Sequence, residues 1–205
     1  MARVAPGAGE ALPRIRRYVE MLLEWNRGFS NLISSGDEPR IVERHVLESL
    51  APAEWIERDG PKVIMDFGSG GGFPALTLAM AGLGQRWVLV ESRRNKTLFL
   101  RKVILELELK SVEVELGRLE TLLDESGRLG RFDAFTSRAT LRLGPTLALA
   151  ANWVGGGGSA YLWKGSRKES EMEDDRRWAR SWSPAGSFEI GEGQVSVVRF
   201  IRKET

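Results

Sequence analysis

Cysteine is missing from the whole 205-residue chain, and histidine occurs once, as His45. Without cysteine there can be no disulfide, zinc ribbon or iron–sulfur cluster, and one imidazole makes a histidine-based metal site a poor expectation. A metal-free site is expected, and radical chemistry that needs a cysteine-held cluster is excluded. No apolar stretch approaches the ~20 residues of a membrane span, and the N-terminus lacks a signal-peptide core. Those two absences predict a cytoplasmic protein without membrane contact. Charge of one sign is lacking as well: 30 basic residues stand against 28 acidic, a net charge of +2. A polyanion partner must therefore be met by local clustering, not by overall charge.

What the chain has in plenty is glycine, and four glycines crowd one place. Val63-Ile64-Met65-Asp66-Phe67 reads as a buried strand, and Gly68, Gly70, Gly71 and Gly72 follow at once. The apolar run Ala75 to Ala81 then reads as a buried helix with Pro74 in its first turn. A strand, a glycine turn and a helix N-terminus let a ligand press against bare backbone. Gly70-Gly71-Gly72-Phe73-Pro74-Ala75 satisfies one spelling of the dinucleotide fingerprint, with Glu91 at the expected ~20-residue spacing. S-adenosyl-L-methionine is the better-supported ligand. Asp66, at the strand's carboxyl end, suits a cofactor ammonium and repels a pyrophosphate. Phe73 and Pro74 are bulky where a dinucleotide turn is tight, and the rest of the chain is short for a second nucleotide half plus a substrate domain.

Residues 1–60 read as an N-terminal helical extension and residues 61–205 as one α/β domain. Residues 1–9 are expected to fray. Leu12, Ile15, Val19, Leu22 and Leu23 recur at helical spacing, and after a break Asp37 caps a second helix carrying Ile41, Val42, His45, Val46, Ser49 and Leu50. Beyond residue 62, strands alternate with helices: strands at 86–90, 112–116, 132–136 and 160–163, helices at 96–109, 141–153 and 168–180. Gly155 to Gly158 read as a tight connection. Segments 187–190 and 195–201 read as a closing antiparallel pair. This order describes a mostly parallel, doubly wound sheet with an antiparallel C-terminal edge.

In such a sheet the ligand lies outside the carboxyl ends of the strands. Glu91 can accept both ribose hydroxyls of an adenosine. Leu119 and Glu120 either flank the adenine or simply start a helix. Arg138 can hold a carboxylate or phosphate, or form a structural salt bridge, and Lys164 points the same way. Arg93, Arg94, Lys96, Arg101 and Lys102 form the densest basic cluster, either a solvated helix face or an RNA contact. His45 reads as a satisfied, capping-type histidine. The seven tryptophans read as packing residues, with no pair spaced to stack a base.

With these pieces placed, the chain resembles the bacterial small-subunit ribosomal RNA guanine-N7 methyltransferases, the glucose-inhibited division protein B family. The likeness runs through Asn31-Leu32-Ile33-Ser34, Arg44-His45-Val46-Leu47-Glu48-Ser49-Leu50, Asp66 to Pro74, Glu91-Ser92, Lys96 to Arg101, Phe132-Asp133, Ser137-Arg138-Ala139 and Lys164-Gly165. It implies a Rossmann-like class I fold, S-adenosyl-L-methionine as cofactor, and contacts at Gly68, Phe73, Leu119, Glu120 and Arg138, beside Gly70 and Glu91 from the loop. It further implies a guanine of 16S ribosomal RNA, or of the small ribosomal subunit, as methyl acceptor for a monomeric enzyme. Lys164, Arg93 and Arg94 are the substrate-side candidates. No residue is nominated as catalytic acid or base, because guanine N7 has no proton to remove. Ala75, Thr140 and Trp163 depart from the family pattern. A methyltransferase of a small molecule or protein, a non-catalytic ribosome-binding module on the same fold, and a nicotinamide dehydrogenase are the competing readings.

Overall fold

The computed structural model describes residues 8–29, 31–122, 130–174, 176–191 and 194–204. Seven strands form one sheet: β1 (Val63–Phe67), β2 (Arg86–Glu91), β3 (Val112–Leu116), β4 (Phe132–Arg138), β5 (Val154–Lys164), β6 (Trp182–Ile190) and β7 (Val195–Arg202). Their order is β3-β2-β1-β4-β5-β7-β6. The first five run parallel, and β7 lies antiparallel between β5 and β6.

Alternate residues of each central strand enter different cores. Ile64, Trp87, Leu89 and Ala134 join one buried cluster, while Met65, Val88, Val90 and Phe135 join the other. Strands covered on both faces have near-continuous apolar sequences, which made β1 and β2 readable. The first face is covered by α1 (Ala8–Gly28), α4 (Ala75–Met80) and α5 (Arg94–Glu106). The second is covered by α7 (Leu143–Trp153) and the 3-10 turn Arg176–Arg180. Of residues 1–9, expected to fray, Ala8 and Gly9 instead begin α1, while residues 1–7, like Ser30, lie outside the described residues.

Several expectations need correcting. Leu12 is 66% exposed, and the buried stripe of α1 is Ala11, Ile15, Tyr18, Met21 and Leu22. Pro74 is the N-cap of α4 and follows a cis peptide, and so stands one residue before the first turn. The second N-terminal helix is broken into a 3-10 turn (Glu38–Arg40), a π-helical segment (Val42–Leu47), α2 (Glu48–Leu50) and α3 (Ala53–Glu57). Asp37 is its N-cap residue by position but makes no side-chain capping bond. The charged helix expected over 168–180 is α8 (Lys168–Asp174) followed by the 3-10 turn.

Gly155 to Gly158 are not a connection; they lie inside β5. The register passes from Phe132↔Val154 to Ala134↔Ser159, so two steps on β4 match five on β5 and three residues bulge out. A Cβ on Gly158 would come within 2.8 Å of the Asp133 carbonyl oxygen and 2.6 Å of Val154 Cγ1. Glycine is needed there because backbone approaches backbone. Its poor strand propensity hid the strand in the sequence.

Candidate active site

Strand order reverses between β1 and β4, and the residues at their carboxyl ends define the crevice. Asp66 of β1 is level with Thr136 of β4, and Phe67 with Val90 of β2. Asp66 is 1% exposed. Its Oδ1 accepts a 2.6 Å hydrogen bond from the Thr136 hydroxyl, while Oδ2 is buried with no hydrogen-bond partner among the described residues. Burial pushes this carboxyl up to about 7; the Thr136 and Ser69 hydroxyls oppose that rise, and the Glu91 charge adds to it.

Glu91 ends β2 and is also buried. Its Oε2 accepts the Gly70 N–H at 2.9 Å, and its Oε1 accepts the Arg93 N–H at 2.8 Å. One carboxylate thus fixes the glycine turn and its own turn together. Each oxygen keeps acceptor capacity for a further donor. The Gly68 and Ser69 N–H groups share the Val90 carbonyl, at 2.9 and 3.2 Å. Gly68 has φ +69°, and a Cβ there would sit 2.2 Å from Thr140 Cγ2. The Thr140 hydroxyl lies 2.6 Å from that of Ser137, which holds the chain after β4 against the turn.

The loop is held from its far side by α1. The Tyr18 hydroxyl donates to the Gly71 carbonyl at 2.5 Å, wholly buried. Phe73 is packed between Tyr18 and His45, with ring centroids 5.2 and 5.1 Å away. Its ring belongs to this packing, and what it can offer a ligand is backbone. His45 is not the satisfied histidine expected: its Nε2 is buried without a hydrogen bond, 3.7 Å from Asp37 Oδ2. Burial, with the Arg138 charge beside it, lowers this imidazole to about 4.

Arg138 ends β4 and turns inward. Its guanidinium donates to Glu48 Oε2 at 2.7 Å and to the Arg44 carbonyl at 2.5 Å, with longer contacts to the His45 carbonyl and Ser49 hydroxyl. Of the two roles open in the sequence, the side chain takes the salt bridge. Lys164 is likewise engaged, donating to Glu171 at 2.8 Å and the Leu141 carbonyl at 2.9 Å. Leu119 is fully buried at the start of α6 (Leu119–Leu122), and Glu120 beside it is exposed. Arg93 and Arg94 are exposed at the start of α5. Ser137 was placed with Arg138 at the strand end, while Thr136 and Tyr18 were missed as site residues. Only the tertiary partners of these hydroxyls reveal them.

The family model for GidB, rRNA small subunit methyltransferase G, matches residues 11–184. Ribosomal RNA small subunit methyltransferase G of Geobacillus kaustophilus is 31% identical over 83% of this chain and 71% of its own length. The protein of the same name from Neisseria gonorrhoeae is 33% identical over 84% of this chain and 80% of its own. Among solved structures, an O-methyltransferase from Bacillus cereus in complex with SAH superposes with TM-score 0.63 at 19% identity, covering 91% of each chain. That last likeness is one of fold.

Proposed function

We propose a function from one premise: the chain belongs to the GidB family, rRNA small subunit methyltransferase G. It is an S-adenosylmethionine-dependent enzyme that methylates ribosomal RNA, at N7 of a guanine in the 16S molecule. Two carboxylates, Asp66 and Glu91, flanking a glycine turn at the switch point carry the cofactor side of this reading. The site fits such a group. Asp66 keeps one buried oxygen free for an ammonium, directly or through water, and Glu91 keeps acceptor capacity for two ribose hydroxyls.

Gly68, Gly70 and the Phe73 backbone would line the cofactor, with Leu119 and Glu120 at its base. Arg138 would act through the π-helical segment it pins, not by direct contact. Arg93 and Arg94 would meet RNA phosphate, while Lys164 would hold β5 to α8. When bound, S-adenosylmethionine supplies an electrophilic methyl on a sulfonium. Guanine N7 carries a lone pair and no proton, so no side chain need act as base. The chain's own work is to orient the acceptor in line and to exclude water. Residues 1–60 would serve as an extension buttressing the loop, in a cytoplasmic monomer.

Mass mapping of modified guanines in 16S ribosomal RNA treated with the protein tests the activity. New N7 methylation is expected, and RNA binding should weaken steeply with salt. Glu91→Ala should weaken S-adenosylmethionine binding by calorimetry about a hundredfold, since hydrogen bonds to a charged acceptor contribute ~1.5–3 kcal/mol each. Methylation confined to a small molecule or protein, or no cofactor binding by the wild type, would overturn the reading.

A further inference from the structure

Phe29 is 77% exposed, although it packs on Trp25 with ring centroids 4.8 Å apart. Trp25 is itself backed by buried Phe99 of α5 at 5.6 Å, and Lys102 Nζ lies 5.9 Å from the Trp25 ring. This rung stands between the end of α1 and the basic face of α5. Arg93, Arg94, Lys96, Arg101 and Lys102 form no ion pair among the described residues. Three acids of the same two helices, Glu20, Glu24 and Glu106, gather on Arg17 instead. Cations at a helix N-terminus oppose its dipole, and α5 begins with Arg94 and Lys96, with no acid in its first turn and no capping bond from the Arg93 side chain. At that end the Glu91 carboxylate meets only the Arg93 N–H. An anion lying across that end would relieve the conflict.

The aromatic rung is also held in place and joined to the crevice. Asn26 accepts the Leu32 N–H at 2.6 Å and donates to Glu38 at 2.5 Å, closing the segment around Phe29. Leu22 and Leu32 lie 3.3 and 3.6 Å from where a Gly71 Cβ would be, against the cofactor loop.

We propose that Phe29 is a stacking platform for one unpaired base of the RNA, with the α5 cations holding the phosphates beside it. This rests on the RNA reading above. An exposed aromatic ring backed by a second ring, with the Lys102 cation over that second ring and further cations along the same helix, is the pairing that single-stranded nucleic acid needs.

The test is binding of protein-free 16S ribosomal RNA across a salt series. Phe29→Ala should weaken binding about tenfold with the salt slope unchanged, and Phe29→Trp should restore it. Lys102→Ala should instead lower the slope by about 1. Affinity for S-adenosylhomocysteine should stay at the wild-type value in all of them. Wild-type RNA affinity in Phe29→Ala, or full rescue by Phe29→Leu, would overturn the stacking site while leaving the enzyme reading intact. A loss seen only with assembled subunits would point to a protein partner and overturn it too. A wild type that binds no RNA overturns both.

Discussion

Arg138→Ala is expected to lower the unfolding free energy by about 3 kcal/mol, read from urea denaturation, because it takes the better-placed of two cations from a largely buried carboxylate and a donor from two carbonyls. The Arg138 and Glu48 side chains are 14% and 12% exposed, so solvent screens their pair little. Without the guanidinium, Glu48 keeps Arg44 Nε at 3.2 Å, and the Arg44 and His45 carbonyls lose a shared donor. Those carbonyls belong to the π-helical segment, whose register slip leaves polar groups in need of side-chain partners. Arg138→Lys should rescue little, since an ammonium cannot span a carboxylate and two carbonyls as a planar fork does. Hydrogen exchange over Val42–Leu47 should quicken in the alanine variant. Cofactor affinity should fall with it, since His45 of that segment stacks on Phe73 of the loop. A stability loss under ~1 kcal/mol with unaltered exchange would show that Arg138 does not hold this segment.

The same residue shows how far the sequence could be read. Placing Arg138 at the end of β4, and Asp66 and Glu91 on β1 and β2, needed only short apolar runs bounded by turn residues, as strands buried on both faces show. Whether the guanidinium faces a ligand or an acid depends on Glu48, 90 positions away in sequence. Lys164 and Glu171 repeat the lesson at the end of β5. Strand-end position is written in hydrophobic pattern; the partner is written in tertiary packing, which a single sequence does not display. The π-helical segment was invisible for a related reason, since its apolar positions fit an ordinary helix and its register is held by Arg138. Gly155 to Gly158 misled in the opposite sense. Glycine there answers to close backbone contact inside a bulge, and composition alone gives it the look of a turn.

In the cofactor-free protein, Asp66 should withdraw stability as pH rises from ~4 to above 7, against the gain that the depressed His45 imidazole supplies between about 4 and 6.5. Asp66→Asn should remove the Asp66 part and leave stability rising with pH over that range. The folded-state carboxyl is raised from 3.8 to about 7, mainly by burial, so the native state holds a proton that the unfolded chain releases. The Asp66 contribution is therefore complete below the unfolded value and is lost as pH passes through about 7, flattening beyond it. At ~1.4 kcal/mol for each pH unit between those values, the loss is at most about 4 kcal/mol, and local relaxation will reduce it. Asp66→Asn removes the charge while keeping an oxygen for the Thr136 hydroxyl, so above pH ~7 the variant should melt higher than the wild type. Function should move the other way. A buried carboxylate with one oxygen free is costly to the empty fold and is what an ammonium ligand would neutralise. Wild-type affinity for S-adenosylmethionine should thus rise between pH 6 and 8, while Asp66→Asn binds about a hundredfold more weakly at pH 8, with little pH dependence. Calorimetry at the two pH values, paired with melting curves, separates these effects. An asparagine variant that keeps the wild-type pH slope would remove Asp66 as the titrating group, and one that keeps wild-type affinity would remove it from the cofactor site.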